Sequence, residues 1–169
     1  MPNKMLLAAL VFSCLAWPVA AQNNLPDKGA AKTMSSGEVF QLLMPDNMPK
    51  SVGYSQVAKV TGGTLVFVSG QVALDKSGNV VGNDDFRAQV QQVFENLKAA
   101  LEATGGSFDD VIKLNSYVLD LSHLREFREV RDKFVNVKNP PASTAIQVSG
   151  LFRKEFLVEI EAIAVVRNR

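Results

Sequence analysis

Residues 156–166, Phe-Leu-Val-Glu-Ile-Glu-Ala-Ile-Ala-Val-Val, alternate in chemistry as an extended chain alternates in space. Val158, Ile160, Ala162, Ala164 and Val166 fall on one side, and Leu157, Glu159, Glu161, Ile163 and Val165 on the other. A period of two specifies a strand. Such a strand must press its aliphatic side against an apolar layer while its other side carries two carboxylates about 7 Å apart. The fold therefore contains a sheet with two unlike faces.

What covers the aliphatic face is legible upstream. Phe86, Val90, Val93, Leu97 and Leu101 recur at helical spacing after Asp85, and Gly105-Gly106 ends the run. A second helix, with Ser122 as its expected N-cap, buries Leu124, Phe127, Val130 and Phe134. Strands are expected over 39–44, 54–60, 64–68 and 111–119, with 72–74 continuing the third. Another is expected over 143–148. Gly62-Gly63 would join 54–60 to 64–68 as a hairpin. In 111–119, Ile112, Leu114 and Val118 point one way, and Lys113, Asn115 and Tyr117 the other. The order β-β-β-α-β-α-β-β gives an α+β domain with two helices on one face of a mixed sheet. Two helices cannot cover both faces, so the semi-polar second face is expected to meet other subunits.

Residues 1–21 carry one charge, Lys4, then an apolar run to Val19 and the small-residue sequence Val19-Ala20-Ala21. This is a secretory signal peptide with cleavage after Ala21; lipidation at Cys14 is the competing reading. Residues 22–37 form a polar leader, and 38–169 a single domain. Cleavage places the protein in the periplasm or outside the cell, with no membrane anchor. It removes one of 18 basic groups and leaves 17 against 17 acidic. A chain without net charge has no general attraction for nucleic acid. The sole cysteine leaves with the signal, and His123 is the sole histidine. Zinc sites and Cys-His or Ser-His-Asp catalysis lose most of their parts.

Among the remaining candidates, Glu161 reads as a solvated strand residue. For Glu159 two readings stay open: the same solvated face, or an enclosed carboxylate that orients or deprotonates a water. Pro140-Pro141-Ala142-Ser143 is a rigid loop at the head of a strand, either a connector or a mount for backbone N–H groups. Ser143 and Thr144 could donate to a carboxylate or carbonyl, but without a nearby histidine neither is a nucleophile. His123 reads as an exposed helix-start residue, Arg128 and Arg131 as solvated helix residues, and Tyr54 and Tyr117 as packing residues with satisfied hydroxyls. Ser69-Gly70-Gln71 interrupts its strand with a residue lacking a side chain, which signals a bulge or a close approach by another group.

Taken together, Gly53-Tyr54-Ser55-Gln56, Val68-Ser69-Gly70-Gln71, Asn96-Leu97-Lys98, Lys113 with Tyr117, Pro141-Ala142 and residues 158–164 resemble the Rid (reactive intermediate deaminase, YjgF) family. The match runs from about Val39 to Val166. The resemblance implies a chorismate-mutase-like fold, assembled as a homotrimer with small-molecule sites in three intersubunit clefts. Archetypal members hydrolyse enamines and imines derived from amino acids to 2-keto acids and ammonia, without metal or cofactor. Carried over, the water-positioning glutamate is Glu159, and Tyr54, Ser69, Gly70 and Tyr117 belong to the pocket with Ser143, Thr144 and Ala145. A further pocket position on the second helix is Arg131.

The family pattern has an arginine where this chain has Ser143, and often a cysteine where it has Ala145. Removing one partner of a buried, oriented guanidinium–carboxylate pair costs on the order of 2–5 kcal/mol. That is roughly thirty-fold to several-thousand-fold in rate or affinity. Either the substrate lacks a carboxylate, or another cation such as Arg131, Arg153 or Lys154 reaches in, or the protein is a non-catalytic binding trimer. Ribonuclease activity, sometimes attached to this family, is opposed by the charge balance and by His123.

Overall fold

The structure, a computed structural model, describes residues 38–167. The signal peptide expected over 1–21 and the leader over 22–37 lie outside those residues. The elements are β1 (Phe40–Leu43), β2 (Val57–Val60), β3 (Thr64–Gln71), α1 (Phe86–Ala103), β4 (Val111–Val118), α2 (Leu124–Arg131), β5 (Ala142–Gln147) and β6 (Val158–Val166), with 3-10 turns at Phe108–Asp110 and Leu121–His123. Their order is the one the sequence periodicities specify.

The main sheet runs β3-β6-β4-β5. Both β3 and β4 are antiparallel to β6, and β5 is parallel to β4, so β3, β4 and β5 all point one way. The links β3–α1–β4 and β4–α2–β5 step across the sheet in the same direction. Right-handed crossovers, the near-universal rule for such links, then deliver both helices to one face. The core lies between them and the sheet: Val90, Val93, Phe94 and Leu97 of α1 and Phe127 and Val130 of α2 meet Val68, Leu114, Val118, Val158, Ile160 and Ala162. Among the described residues no layer covers most of the opposite face, and Phe67 on it is 72% exposed.

Helix α1 starts at Asp85, whose carboxylate accepts from the Ala88 N–H. At the second helix the expected Ser122 cap is incorrect. Asp120 caps the preceding 3-10 turn by accepting from the Ser122 N–H, and α2 continues from that turn with no side-chain cap of its own. Phe134 lies just beyond α2 and packs on Phe94 and Phe108.

The expected hairpin through Gly62-Gly63 is also corrected. β2 pairs with β1 (Phe40 opposite Val60, Leu43 opposite Val57), and β3 pairs with β6 (Thr64 opposite Val166). The Thr61 and Gly62 N–H groups donate to the Val39 carbonyl. Gly63 has φ +82°, and a Cβ there would lie 2.7 Å from Val165 Cγ1. The glycine pair thus fits the chain against the end of β6 and hands β3 to that strand. Residues 72–74 do not continue β3; Leu74 makes only an isolated bridge to Val80.

Candidate functional site

The expected site residues fall into two groups on opposite sides of the main sheet. On the open face, the β4/β6 register sets Tyr117 opposite Glu159 and Asn115 opposite Glu161. The Tyr117 hydroxyl donates to Glu161 Oε2 at 3.1 Å, and Asn115 Nδ2 donates to the same oxygen at 3.3 Å. That hydrogen bond, then burial, raises the Tyr117 pKa and keeps the phenol a donor. On the same face Lys113 Nζ donates to Thr144 Oγ1 at 2.6 Å, and burial lowers the lysine pKa.

Glu159 is half-buried. Burial, and then the neighbouring charge of Glu161, raise its carboxyl above the usual carboxylate range. Across from it, β3 shifts register between Val68 and Gln71, which places Ser69 and Gly70 on a bulge. A Cβ on Gly70 would lie 1.9 Å from Glu159 Oε1. Bulge and close approach, alternatives from the sequence, occur together here: the missing side chain makes room for the carboxylate.

Two amides, the buried Gln89 and the half-buried Asn96, hold the strands that carry this cluster. Gln89 of α1 donates to the Gly82 and Glu155 carbonyls and accepts from the Leu157 N–H, fixing the segment that leads into β6. Asn96 donates to the Val72 and Leu74 carbonyls, fixing the chain that leaves β3. Sequence reasoning missed Gln89; its signal is a polar residue adjoining Val90 within the buried stripe of α1. Asn96 was visible only as part of a family motif.

The second group lies on the helix side, along the outer edge of β5. The β4/β5 register pairs Ser143 with Leu114, a core residue, whereas Thr144 pairs with Asn115. Ser143, Thr144 and Ala145 line a groove of about 330 Å³ together with Tyr54, Arg128 and Arg131. Tyr54 is held there by its successor: the Ser55 N–H donates to the Pro141 carbonyl and the Ser55 hydroxyl to the Pro140 carbonyl at 2.7 Å. The Pro140-Pro141 loop is therefore a mount for the 53–55 segment as well as a connector.

Arg131 corrects the expectation of a solvated residue. Its side chain is 7% exposed, and its Nε and Nη2 both donate to Asp132 Oδ1, at 2.9 and 2.6 Å. The guanidinium lies against Gly53, where φ is +77° and a Cβ would sit 2.8 Å from Nη2. The signal was available, since Arg131 stands seven residues after Leu124, on the helix's apolar stripe. Arg128 is exposed, as expected. Neither Arg153, over the Phe156 ring, nor Lys154 lines the groove. His123 is exposed, stacks on Phe86 and contacts Glu126.

Glu159, Ser69, Gly70 and Tyr117 thus form one group, and Tyr54, Arg131, Ser143 and Ala145 another, with Thr144 at the edge between them. Within one chain, β4 and β5 separate the carboxylate from the groove.

The family described as endoribonuclease L-PSP matches residues 45–166. A RutC family protein of Pyrococcus horikoshii is 40% identical over 126 residues, covering 73% of this chain and 96% of that protein. A 2-iminobutanoate/2-iminopropanoate deaminase of Salmonella typhimurium is 35% identical over 124 residues, covering 72% of this chain and 94% of that one. A solved Rid-family protein from Yersinia pestis superposes with a TM-score of 0.70 at 32% identity, covering 76% of this chain and all of that one.

Proposed function

The chain belongs to the Rid (YjgF, endoribonuclease L-PSP) family, and from that premise we propose an exported homotrimer that hydrolyses a small imine or enamine in clefts between its copies. Each cleft would join Glu159 of one copy to the Tyr54–Ser143 groove of the next. The observation that carries this reading is the division of the site residues between two sides of one sheet, which leaves neither half complete in a single chain. The uncovered face, with Phe67 and Leu65 exposed beside Ile163, supports burial against further copies. Export rests on the apolar segment before Ala21.

In the proposed reaction Glu159, ionised, accepts a proton from water as the water oxygen attacks the imine carbon. The Glu159 carboxyl then gives that proton to the nitrogen, leaving a tetrahedral intermediate with a hydroxyl and an amino group. As the C–N bond breaks, the hydroxyl proton passes through Glu159 to the leaving nitrogen, which releases a carbonyl compound and ammonia and restores the carboxylate. A carboxylate whose pKa is raised by burial is a better base near neutral pH than an exposed one. One observation favours the alternative of a non-catalytic binding trimer: Ser143 brings no charge to the groove. The ribonuclease reading is opposed by Glu159 and Glu161 on the open face, since a phosphate backbone is gripped by cations.

The test incubates the mature protein with freshly generated 2-aminoacrylate and follows ammonia and keto-acid release, beside Glu159→Ala. Activity that disappears in the variant supports the reading. An inert wild type favours the binding trimer, and activity untouched by Glu159→Ala removes Glu159 from the water-handling role.

A further inference from the structure

We infer that Glu161 is a positioning residue for the water-handling carboxylate: it holds the Tyr117 hydroxyl and so keeps that donor off Glu159, whose oxygens stay open to a water. This rests on the reaction proposed above and gives the second carboxylate of β6 a role of its own. Three observations carry it. In the β4/β6 register Tyr117 stands directly opposite Glu159, and Glu161 is its diagonal neighbour. The hydroxyl nevertheless donates to Glu161 Oε2 at 3.1 Å, and Asn115 Nδ2, from the residue opposite Glu161, donates to the same oxygen at 3.3 Å. Glu159 turns toward β3, with Oε1 in the space that the missing Gly70 side chain leaves.

Residues directly opposite across antiparallel strands have Cβ atoms about 4.5–5.5 Å apart, and diagonal neighbours about 7 Å, both within reach of a tyrosine. What else each carboxylate does therefore decides which of them takes the hydroxyl. Asn115 fixes Glu161 beside β4 as the acceptor, while the bulge in β3 gives Glu159 room on its other side. The consequence is chemical. A phenol that donates to an ionised carboxylate stabilises the charged form, weakens it as a base and occupies a lone pair that a water needs. Among the described residues no donor bonds to Glu159, and burial and the Glu161 charge act together to raise its carboxyl. The other titratable groups that the four strands present on this face are Tyr117 and Lys113, and the lysine is bonded to Thr144.

The test compares three variants of the mature protein. Glu161→Gln removes the charge but keeps an acceptor for Tyr117, Glu161→Leu removes both, and the third combines Glu161→Leu with Tyr117→Phe. Two readouts run side by side: the pH dependence of 2-aminoacrylate hydrolysis, and titration of the Glu159 carboxyl by NMR of carboxyl-labelled glutamate, assigned with Glu159→Gln. Wild type should titrate highest, Glu161→Gln lower, and Glu161→Leu lower again by about one pH unit, the effect of one hydrogen bond to a charged group. Adding Tyr117→Phe should return Glu159 to its position in Glu161→Gln, a rescue that a merely structural role for Glu161 does not produce. Melting curves check that each variant folds, and Glu161→Ala replaces Glu161→Leu if the latter does not. Glu161→Gln and Glu161→Leu titrating together, or no rescue by Tyr117→Phe, overturns the inference. An inert wild type defeats the catalytic reading, and the carboxyl titration then decides by itself whether Glu161 keeps the donor from Glu159. Hydrolysis that depends on Glu159, with no difference between the two Glu161 variants, keeps the catalytic reading and defeats this one.

Discussion

The open face of the sheet and the groove behind β5 are built in contrasting ways. On the open face, strand register alone sets the geometry: Tyr117 opposite Glu159, Asn115 opposite Glu161, and Gly70 yielding space to a carboxylate. The groove takes one part from a loop (Tyr54), one from a helix end (Arg131) and one from an edge strand (Ser143), joined by the Ser55 and Gly53 contacts. The first region is acidic and its charge is pushed toward the neutral form. The second is cationic and already partly neutralised by Asp132. The sheet keeps the two apart within a chain.

The sharpest way to break this contrast is to remove the base. Glu159→Ala should lower imine hydrolysis about a hundred- to ten-thousand-fold. Gly70→Ala should act on the same region without touching charge. The added Cβ would displace the Glu159 side chain, and a misplacement of about 1 Å can cost roughly a hundredfold in rate. The cost to stability should be small, because the group that yields is a side chain. Urea denaturation and steady-state rates, measured together, separate the two effects.

Gln89→Ala tests the frame beneath the open face. It would leave the Gly82 and Glu155 carbonyls and the Leu157 N–H without their partner, a loss of about 3 kcal/mol by urea melting.

The smallest effects concern pH. Burial and Glu161 raise the Glu159 pKa, so activity should climb with pH through a value above the ordinary carboxylate range, and Glu161→Gln should move that climb to lower pH. For stability the sign is opposite. The carboxyl loses its proton more readily in the unfolded chain, so its contribution turns unfavourable as pH rises from the usual carboxylate pKa through the raised one. Glu159→Gln should therefore melt higher than wild type above that window and equal to it below.

Much of this was legible from residue order. The alternation in 156–166 gave the two faces of β6, the spacing from Phe86 to Leu101 gave α1, and Gly70 pointed to the close approach that Glu159 makes. The rest depended on partners distant in sequence. A Gly-Gly turn signals a change of direction but not which strand receives the chain, so β3 was assigned to β2 when its partner is β6. Arg131 was read by its charge although it stands in the apolar stripe, because no local rule announces a guanidinium tucked beneath a glycine seventy-eight residues away. Ser143–Gln147 has too little apolar periodicity to reveal which side of the sheet each residue meets.

The most direct test of a site shared between copies is complementation. Glu159→Ala removes the base, and Ser143→Trp fills the groove, so each variant alone should be inactive toward 2-aminoacrylate. Dissociated, mixed in equal amounts and reassembled at random, they should regain about a quarter of wild-type activity, since one in four copy-to-copy contacts then joins an intact base to an intact groove. A mixture no more active than its components, under conditions where wild type recovers fully, would contradict the shared cleft.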